Sequence, residues 1–230
     1  MIGGGAYFVL AVHGGGEEQS PKAGFAKSQP RLQSGDVGPY AGAVGAAAEI
    51  KTEASLMRIV AGEWGGRRIQ APPGRGTRPT TDRVREAWMS TVAAGLPGAR
   101  VLDLFAGSGA LGLEALSRGA SRATFVEHDA KALAFLRANL AALGAAGRAD
   151  VFRTDAVKFA AALTPGAFDV AFADPPYGKG FAHAVAQAFA AAPFAALLCI
   201  EHGKDDVLPA LPHARTRRYG DTYLTFVPAP

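Results

Sequence analysis

Residues 100–112 constrain the fold of this chain most strongly, because they join an apolar strand to a helix through a glycine-rich turn. The sequence there runs Arg-Val-Leu-Asp-Leu-Phe-Ala-Gly-Ser-Gly-Ala-Leu-Gly. Gly107, Gly109 and Gly112 have the spacing G-x-G-x-x-G, in which bare backbone permits a tight turn and the close approach of a ligand. The segment therefore predicts the first strand and helix of a nucleotide-binding α/β domain.

Strand-like and helix-like segments alternate along the rest of the chain. After the first strand, strands are predicted at 122–127, 150–153, 168–173 and 195–201. Helices are predicted from residue 111, around the leucines of 133–143, at 156–163 and at 181–191. This alternation predicts an α/β fold with a parallel sheet wrapped by helices. Two closing β-like runs, 213–219 and 222–227, predict one antiparallel strand at the end.

The acid at the end of the first strand favours a cationic ligand over the pyrophosphate of a dinucleotide. S-adenosylmethionine fits this position, because Asp103 can meet its ammonium directly or through water. Glu127 ends the next apolar run and can bind the ribose diol with two oxygens. Asp155 follows the run 150–153 and could accept from the adenine amino group. The alternative is a dehydrogenase that uses G-x-G-x-x-G to bind a dinucleotide, although no later segment offers hydride-transfer residues.

A rigid corner follows the apolar run 168–173. Asp174 and the carbonyl of Pro175 can each accept one N–H of a planar amino group, and Pro175 and Pro176 fix φ and remove competing donors. Tyr177 offers a face on which a base can stack. Such a corner, at the carboxyl end of a buried strand, fits the exocyclic amine of a nucleobase.

The chain thus carries four motifs: the glycine-rich segment 103–109, Glu127, Asp155 and the corner 174–177. They occur in the order and spacing of the class I S-adenosylmethionine-dependent methyltransferases. Within that class the chain resembles the small-subunit ribosomal RNA guanine-N2 methyltransferases of the RsmD type, from residue 57 to about 227. The most specific parts are Met-Arg-Ile-Val-Ala-Gly-Glu-Trp-Gly-Gly-Arg-Arg-Ile at 57–69, Pro-Pro-Gly at 72–74 and Arg-Pro-Thr-Thr-Asp-Arg-Val-Arg-Glu at 78–86. The corner ends in Tyr177 where many relatives carry Phe, which keeps the stacking face.

The resemblance implies a Rossmann-like domain with a mostly parallel seven-stranded sheet, helices on both faces and a small N-terminal β-hairpin extension. It also implies S-adenosylmethionine as the cofactor. The implied cofactor-binding residues are Asp103, Phe105, Ala106, Gly107, Ser108, Gly109, Glu127, His128, Asp155, Ala156 and Asp174. The implied catalytic residues are Asp174, Pro175, Pro176 and Tyr177.

The target that the resemblance implies is the N2 amine of a specific guanine in small-subunit ribosomal RNA, either naked or in the assembled subunit. The residues alone indicate only amine methylation beside an adenosyl cofactor. The same corner serves adenine-N6 methyltransferases of RNA or DNA, and a related corner headed by Asn serves glutamine methylation in proteins. Outside the methyltransferases, a nicotinamide-dependent dehydrogenase or a non-catalytic RNA-binding protein remains possible.

The segment 57–86 carries seven basic residues, all arginine, against three acids. Arginine binds phosphate with two N–H groups and stacks on bases. Two β-like runs, 58–61 and 67–71, flank Trp-Gly-Gly as in a hairpin, and a helix with Trp88 in its buried face follows. We interpret the segment as an RNA-facing entry, and the proposed RNA-binding residues are Arg67, Arg68, Arg75, Arg78 and Arg83.

Composition sets the remaining expectations. The chain has 230 residues, 49% of them hydrophobic, and a net charge of +4, which permits a polyanionic partner. We expect a cytoplasmic monomer without a membrane span, a disulfide or a metal, because Cys199 is the single cysteine and the five histidines lack metal-ligand spacing. We divide the chain into a disordered extension at 1–56, an RNA-facing hairpin and helix at 57–98, and the methyltransferase domain at 99–230. Met57 is then the expected natural start.

Overall fold

The computed structural model of the protein describes residues 54–73 and 79–230, without the side chains of 79–83. The strands of this part are β1 (Ser55–Arg58), β2 (Arg68–Ala71), β3 (Arg100–Leu104), β4 (Arg122–Val126), β5 (Ala149–Phe152), β6 (Phe168–Ala173), β7 (Ala195–Gly203), β8 (Arg215–Tyr219) and β9 (Thr222–Pro228). The helices are α1 (Pro79–Val92), α2 (Ala110–Ser117), α3 (Ala130–Leu143), α4 (Ala156–Ala161) and α5 (Phe181–Ala191). Residues 1–53 lie outside the described residues, so their disorder and the start at Met57 stay predictions. Ser55 and Leu56, which the prediction placed in the extension, belong to β1 and pair with β2.

The main sheet has seven strands in the order β5-β4-β3-β6-β7-β9-β8. The first five strands in this order, β5, β4, β3, β6 and β7, are parallel to one another. Strand β9 is antiparallel to both of its neighbours, β7 and β8. This confirms the mostly parallel α/β sheet and the antiparallel strand at the end of the chain, which lies between β7 and the edge strand β8. The order reverses between β3 and β6, and ligands of open α/β sheets bind at the carboxyl ends of strands at such a switch point.

Helices cover both faces of the sheet, and the sheet separates two hydrophobic cores. The interior strands β3 and β4 are buried at every position after the first, as expected for parallel strands with helices on both faces. One core contains α1, α2, α3 and the β1–β2 hairpin, with Trp88 edge-on to Phe172 at 5.8 Å between ring centroids. The other contains α4 and α5, including Phe159 and Phe189. Trp88 is thus a core residue, as predicted.

The N-terminal hairpin is confirmed, but its first strand lies three residues earlier than predicted. Met57 pairs with Ile69 in an antiparallel register, and β1 ends at Arg58. The backbone of Val60 and Ala61 turns away because its N–H groups donate to the buried carboxylate of Glu114, at 2.7 and 3.0 Å. A tertiary acceptor therefore replaces the strand partner that the β-like run predicted.

A single buried amide ties the hairpin to the glycine-rich loop. Asn139 of α3, which is 2% exposed, accepts from the Gln70 N–H and donates to the Gln70 carbonyl, both at 2.8 Å. Its amide also donates to the Ser108 carbonyl at 3.0 Å. The hairpin is consequently fixed against the elements that carry the site.

The anchoring carboxylate predicts a measurable stability effect. Glu114 is fully buried and also accepts from the Arg118 guanidinium at 2.8 Å. We expect Glu114→Ala to lower the free energy of unfolding by roughly 2 to 4 kcal/mol, because it removes charged hydrogen bonds and leaves backbone donors unsatisfied. Urea unfolding measures this. Glu63→Ala is the matched control, because the Glu63–Arg148 pair is at the surface and such pairs contribute about 0 to 1 kcal/mol. Equal losses in the two variants would contradict the anchoring role.

In the described part of the chain, no helix is long and apolar enough to cross a membrane. Cys199 lies in β7 and is completely buried, and burial raises the pKa of its thiol. The thiol is therefore a small core side chain.

Candidate active site

Four acidic side chains meet at the carboxyl edge of the sheet, on either side of the switch point. Asp103 belongs to β3, Glu127 follows β4, Asp174 follows β6 and Glu201 lies near the end of β7. Electrostatic repulsion from Asp174 and Glu127 acts on Asp103, and repulsion from Asp174 acts on Glu201. The structure thus brings the predicted Asp103, Glu127 and Asp174 together and adds a fourth acid.

Asp103 is the most deeply buried of these acids, with 1% of its surface exposed. Its Oδ2 accepts from the N–H of Gly112 in the first turn of α2 at 2.9 Å. Burial is the main reason that the pKa of Asp103 is raised from 3.8 to about 7, and the neighbouring Asp174 and Glu127 add to the rise. A buried acid beside other acids favours a cation and disfavours an anionic pyrophosphate.

The glycine-rich loop has the tight geometry that the sequence predicted. Gly107 and Gly109 have φ of +57° and +85°, and Phe105 has φ of +60°, which is uncommon for a residue with a side chain. The Phe105 ring packs against Phe181 at the start of α5, with centroids 5.6 Å apart. The loop is closed by the Gly109 N–H, which donates to the Ala106 carbonyl at 2.7 Å.

Two of the three glycines are required by packing inside the protein. A Cβ on Gly109 would lie 2.4 Å from Leu136, and a Cβ on Gly112 would lie 2.3 Å from Phe125. These contacts let α2 start close against β4 and α3. The G-x-G-x-x-G spacing is therefore explained by the packing of the helix against the strand as well as by contact with a ligand.

Glu127 holds the loop after β3 and the turn after β4 in one position. Its Oε2 accepts from the Gly107 N–H at 2.9 Å, and its Oε1 accepts from the N–H groups of His128 and Asp129 at 2.8 Å. The carboxylate is only 5% exposed, whereas the His128 side chain is 79% exposed. Glu127 is thereby oriented beside the glycine-rich loop, where the sequence predicted a ribose-binding acid.

Asp155 lies just after β5, the strand that neighbours β4 in the sheet. It is exposed, and its carboxylate caps α4 by accepting from the Lys158 N–H at 2.9 Å. Ala156 begins that helix and is buried in the second core. Capping leaves the second carboxylate oxygen of Asp155 able to accept further hydrogen bonds.

The Asp-Pro-Pro-Tyr corner begins directly after β6, as predicted. Asp174 is exposed, Pro175 is buried and Pro176 is partly buried. The corner is tied to the end of β7 by Asp206, which accepts from the Gly178 N–H and from the Gly203 N–H, both at 3.0 Å. This bridge was not predictable from the sequence, because Asp206 follows Asp205 in a loop that matches no motif.

The hydroxyl of Tyr177 makes a contact that sequence reasoning missed. It donates to Oε1 of Glu201 and lies 3.1 Å from Oγ1 of Thr222 at the start of β9. The ring is 42% exposed and lies over Gly203, where a Cβ would come within 3.1 Å of it. Burial and repulsion from Asp174 raise the pKa of Glu201 to about 8, although the hydrogen bond from Tyr177 opposes the rise.

The proposed RNA-binding arginines fall into three groups. Arg67 donates from its guanidinium to the Ala142 carbonyl near the end of α3, so it anchors the hairpin. Arg68 is exposed and lines, together with Arg58 and Arg85, a surface cleft of about 620 Å³ between the hairpin and α1. Arg75 and Arg78 lie outside the described residues, and the Arg83 side chain is not described.

Residues 54–73 and 79–230 contain no group of three or more His, Cys, Asp or Glu side chains arranged to hold a metal ion.

The sheet order, the glycine-rich loop at the switch point and the acids after successive strands define a class I methyltransferase fold. A solved structure of the same fold is the 16S rRNA N2 G1207 methyltransferase RsmC of Thermus thermophilus in complex with AdoMet and guanosine. It is 22% identical and has a TM-score of 0.59 over 77% of this chain and 50% of that chain. At this identity the likeness shows the fold.

Residues 57–228 match the model of the family described as Conserved hypothetical protein 95, and the chain belongs to that family. The family resemblance inferred from the opening motif is thereby confirmed.

Two relatives from Escherichia coli show how close the similarity is. The "Ribosomal RNA small subunit methyltransferase D" of strain K12 is 47% identical over 125 residues, which span 54% of this chain and 62% of the relative. The solved structure of "Putative methyltransferase yhhF" is 36% identical with a TM-score of 0.66, covering 76% of this chain and 98% of that one. The matched segment is thus less than two thirds of the curated relative's length.

Proposed function

We propose that the protein transfers a methyl group from S-adenosylmethionine to the N2 amine of a guanine in small-subunit ribosomal RNA. The observation that carries the proposal is the convergence of Asp103, Glu127 and Asp174 at the switch point, beside the Asp-Pro-Pro-Tyr corner. Family membership and the similarity to the Escherichia coli small-subunit methyltransferase support the ribosomal RNA substrate.

The residues on the β3 and β4 side fit the cofactor. Asp103 would meet the ammonium, Glu127 would bind the ribose diol and Asp155 would accept from the adenine amino group. The loop of Phe105, Ala106, Gly107, Ser108 and Gly109 would cover the methionine part, with His128 and Ala156 at its edges. The cofactor supplies an electrophilic methyl group on a sulfonium. The raised pKa of Asp103 supports this assignment, because a cationic partner relieves the repulsion among the acids.

The residues on the β6 side fit the target base. Asp174 and the Pro175 carbonyl accept the two N–H groups of the amine and so aim its nitrogen at the methyl group. Most of the acceleration then comes from positioning, which can contribute about 7 to 11 kcal/mol to lowering a barrier. Asp174 also stabilises the positive charge that develops on the amine, whose proton then leaves to water or to Asp174. Tyr177 holds the extruded base by stacking.

The acid cluster also argues against the dehydrogenase alternative. The pyrophosphate of a dinucleotide would have to approach the buried Asp103, which already experiences repulsion from Asp174 and Glu127. Competition between NADH and S-adenosylmethionine in equilibrium binding tests this alternative, and we expect only the latter to bind.

One experiment tests the proposed function directly. The protein is incubated with methyl-labelled S-adenosylmethionine and with naked small-subunit RNA, assembled subunits or DNA, and the labelled base is identified by nuclease digestion and mass spectrometry. We expect N2-methylguanine from RNA or subunits. Label in N6-methyladenine or in protein glutamine would replace the proposal with one of those activities, and RNA binding without label would indicate a non-catalytic protein.

The cleft between the hairpin and α1 gives a second prediction. Replacing Arg58 and Arg68 together with glutamine should weaken RNA binding without altering the affinity for S-adenosylmethionine. Each lost phosphate contact should reduce the slope of log affinity against log salt by about 0.7 to 0.9. The matched control replaces Arg100 and Arg122 with glutamine. These residues begin β3 and β4, at the amino ends of the parallel strands, and their replacement should leave RNA binding unchanged. If the first pair has no effect on affinity or slope, the RNA site moves to Arg215, Arg217 and Arg218 or to Lys179.

A further inference from the structure

Glu201 stands beside the proposed catalytic acid on the neighbouring strand. In the parallel register of β6 and β7, Ala173 is paired with Ile200. The next residues along the two segments are Asp174, directly after β6, and Glu201 in β7, so the register brings them side by side at the carboxyl edge. The repulsion between Asp174 and Glu201 agrees with this placement.

Other residues of the chain fix the orientation of the Glu201 carboxylate. Its Oε1 accepts from the Tyr177 hydroxyl, and that hydroxyl is also within 3.1 Å of the Thr222 hydroxyl. One side of the Tyr177 ring lies against Gly203, at the end of the strand that carries Glu201. An ionised carboxylate has two acceptor oxygens, so Oε2 of Glu201 remains able to accept from a ligand.

We propose that Glu201 is a specificity-determining residue that selects guanine by accepting its N1–H, while Asp174 accepts from the adjacent N2 amine. This inference rests on the proposed function, since it concerns the same base pocket. The Watson–Crick edge of guanine presents the N1–H and the N2 amine side by side, and two neighbouring carboxylates are complementary to those donors.

Above pH 8, where Glu201 is ionised, adenine is rejected by the same pair of acids. Its Watson–Crick edge places an acceptor, N1, next to the exocyclic amine, so the lone pair of N1 would face an ionised Glu201. Guanine brings donors between the acids and relieves their mutual repulsion. A site built to accept an N–H rejects an analogue that lacks it, because the buried acceptor is then left without a partner.

The test uses bases that keep the 2-amino group but lack the N1–H. RNA carrying the target guanine is compared with RNA carrying 2,6-diaminopurine or 2-aminopurine at that position, above pH 8 so that Glu201 is ionised. We expect the unaltered protein to prefer guanine by roughly 10- to 150-fold in kcat/KM, the range for a lost charged hydrogen bond.

Substitution of Glu201 should reduce this preference. In Glu201→Gln the amide oxygen can accept the guanine N1–H only as a neutral acceptor, so kcat/KM for guanine should fall. The amide NH2 can donate to the unprotonated N1 of either analogue, so the ratio between guanine and the analogues should approach one. Tyr177→Phe should lower the ratio partly, because the carboxylate loses the donor that orients it. Asp205→Asn, an exposed acid in the following loop, is the control and should leave the ratio unchanged.

The outcomes separate the inference from the proposed function. Guanine methylation with the same base preference in the unaltered protein and in both Glu201→Gln and Tyr177→Phe would overturn the role of Glu201 alone. Methylation of adenine in place of guanine would overturn the proposed function as well. Calorimetric affinity for S-adenosylmethionine should be unchanged in each variant, and a general loss of structure would lower this affinity without changing the base ratio.

Discussion

Replacing Asp174 with alanine is expected to reduce methyl transfer by several orders of magnitude while leaving the affinity for S-adenosylmethionine within a few-fold. The substitution removes an acceptor that aims the target amine and an anion that stabilises its developing charge. Losing one preorganised electrostatic contact of this kind costs about 10²- to 10³-fold, and loss of positioning adds to it. Single-turnover rates with labelled cofactor and calorimetric binding measure the two quantities separately.

The control for Asp174 is Asp205→Ala, because Asp205 is also an exposed acid near the carboxyl edge but makes no part of the corner. Its methylation rate should equal that of the unaltered protein. A variant lacking Asp174 that retains at least a tenth of the original rate would show that the Pro175 carbonyl and stacking suffice, and the catalytic assignment of Asp174 would then fail.

Most of the fold was predictable because its signals are local. Continuous apolar runs marked the buried parallel strands, and helical spacing marked the helices between them. The error at β1 has a non-local cause. Val60 and Ala61 have the composition of a strand, but Glu114, more than fifty residues away in the sequence, takes their backbone donors. A single sequence contains no sign of that pairing.

The site shows the same division between local and distant signals. Asp103, Glu127 and Asp174 were found because each ends an apolar run, and the ends of parallel strands meet at one edge. Glu201 also ends such a run, but it has no glycine or proline motif beside it and lacks the spacing from the glycine-rich loop that marked Glu127. Its link to Tyr177 depends on the packing of β6, β7 and β9.

The roles of Tyr177 and Arg67 were inferred from residue type alone, and the structure adds hydrogen bonds to each. A stacking role of the Tyr177 ring alone predicts a mild effect of Tyr177→Phe and a severe effect of Tyr177→Ala. The hydroxyl contacts with Glu201 and Thr222 now predict an effect of Tyr177→Phe on base selection as well. Arg67 was grouped with the RNA-binding arginines, yet its guanidinium is bonded to the Ala142 carbonyl. Both contacts join segments distant in sequence.

Asp103 is placed where its charge opposes folding and favours the cofactor. In the folded protein its pKa is about 7, against 3.8 for an ordinary aspartate. Between these two pH values the folded state holds a proton that the unfolded chain has released, so stability falls as the pH rises. Above pH 7 the penalty is complete, with an upper limit of about 4 kcal/mol. A bound ammonium would recover part of this free energy.

Asp103→Asn should therefore make the cofactor-free protein more stable at pH 8 and bind S-adenosylmethionine more weakly. The amide oxygen can still accept from Gly112, so the packing is retained while the buried charge is lost. We expect the variant's advantage in unfolding free energy to be absent near pH 4 and to grow as the pH approaches 7. The cofactor affinity should fall by about 1.5 to 3 kcal/mol, as for a charged hydrogen bond. In the unaltered protein that affinity should rise with pH up to about 7, and this rise should be missing from the variant. Urea unfolding and calorimetry across this pH range test both effects. Unchanged cofactor affinity in Asp103→Asn, with the same pH dependence as the unaltered protein, would mean that the ammonium is bound elsewhere and that Asp103 serves only to hold the start of α2.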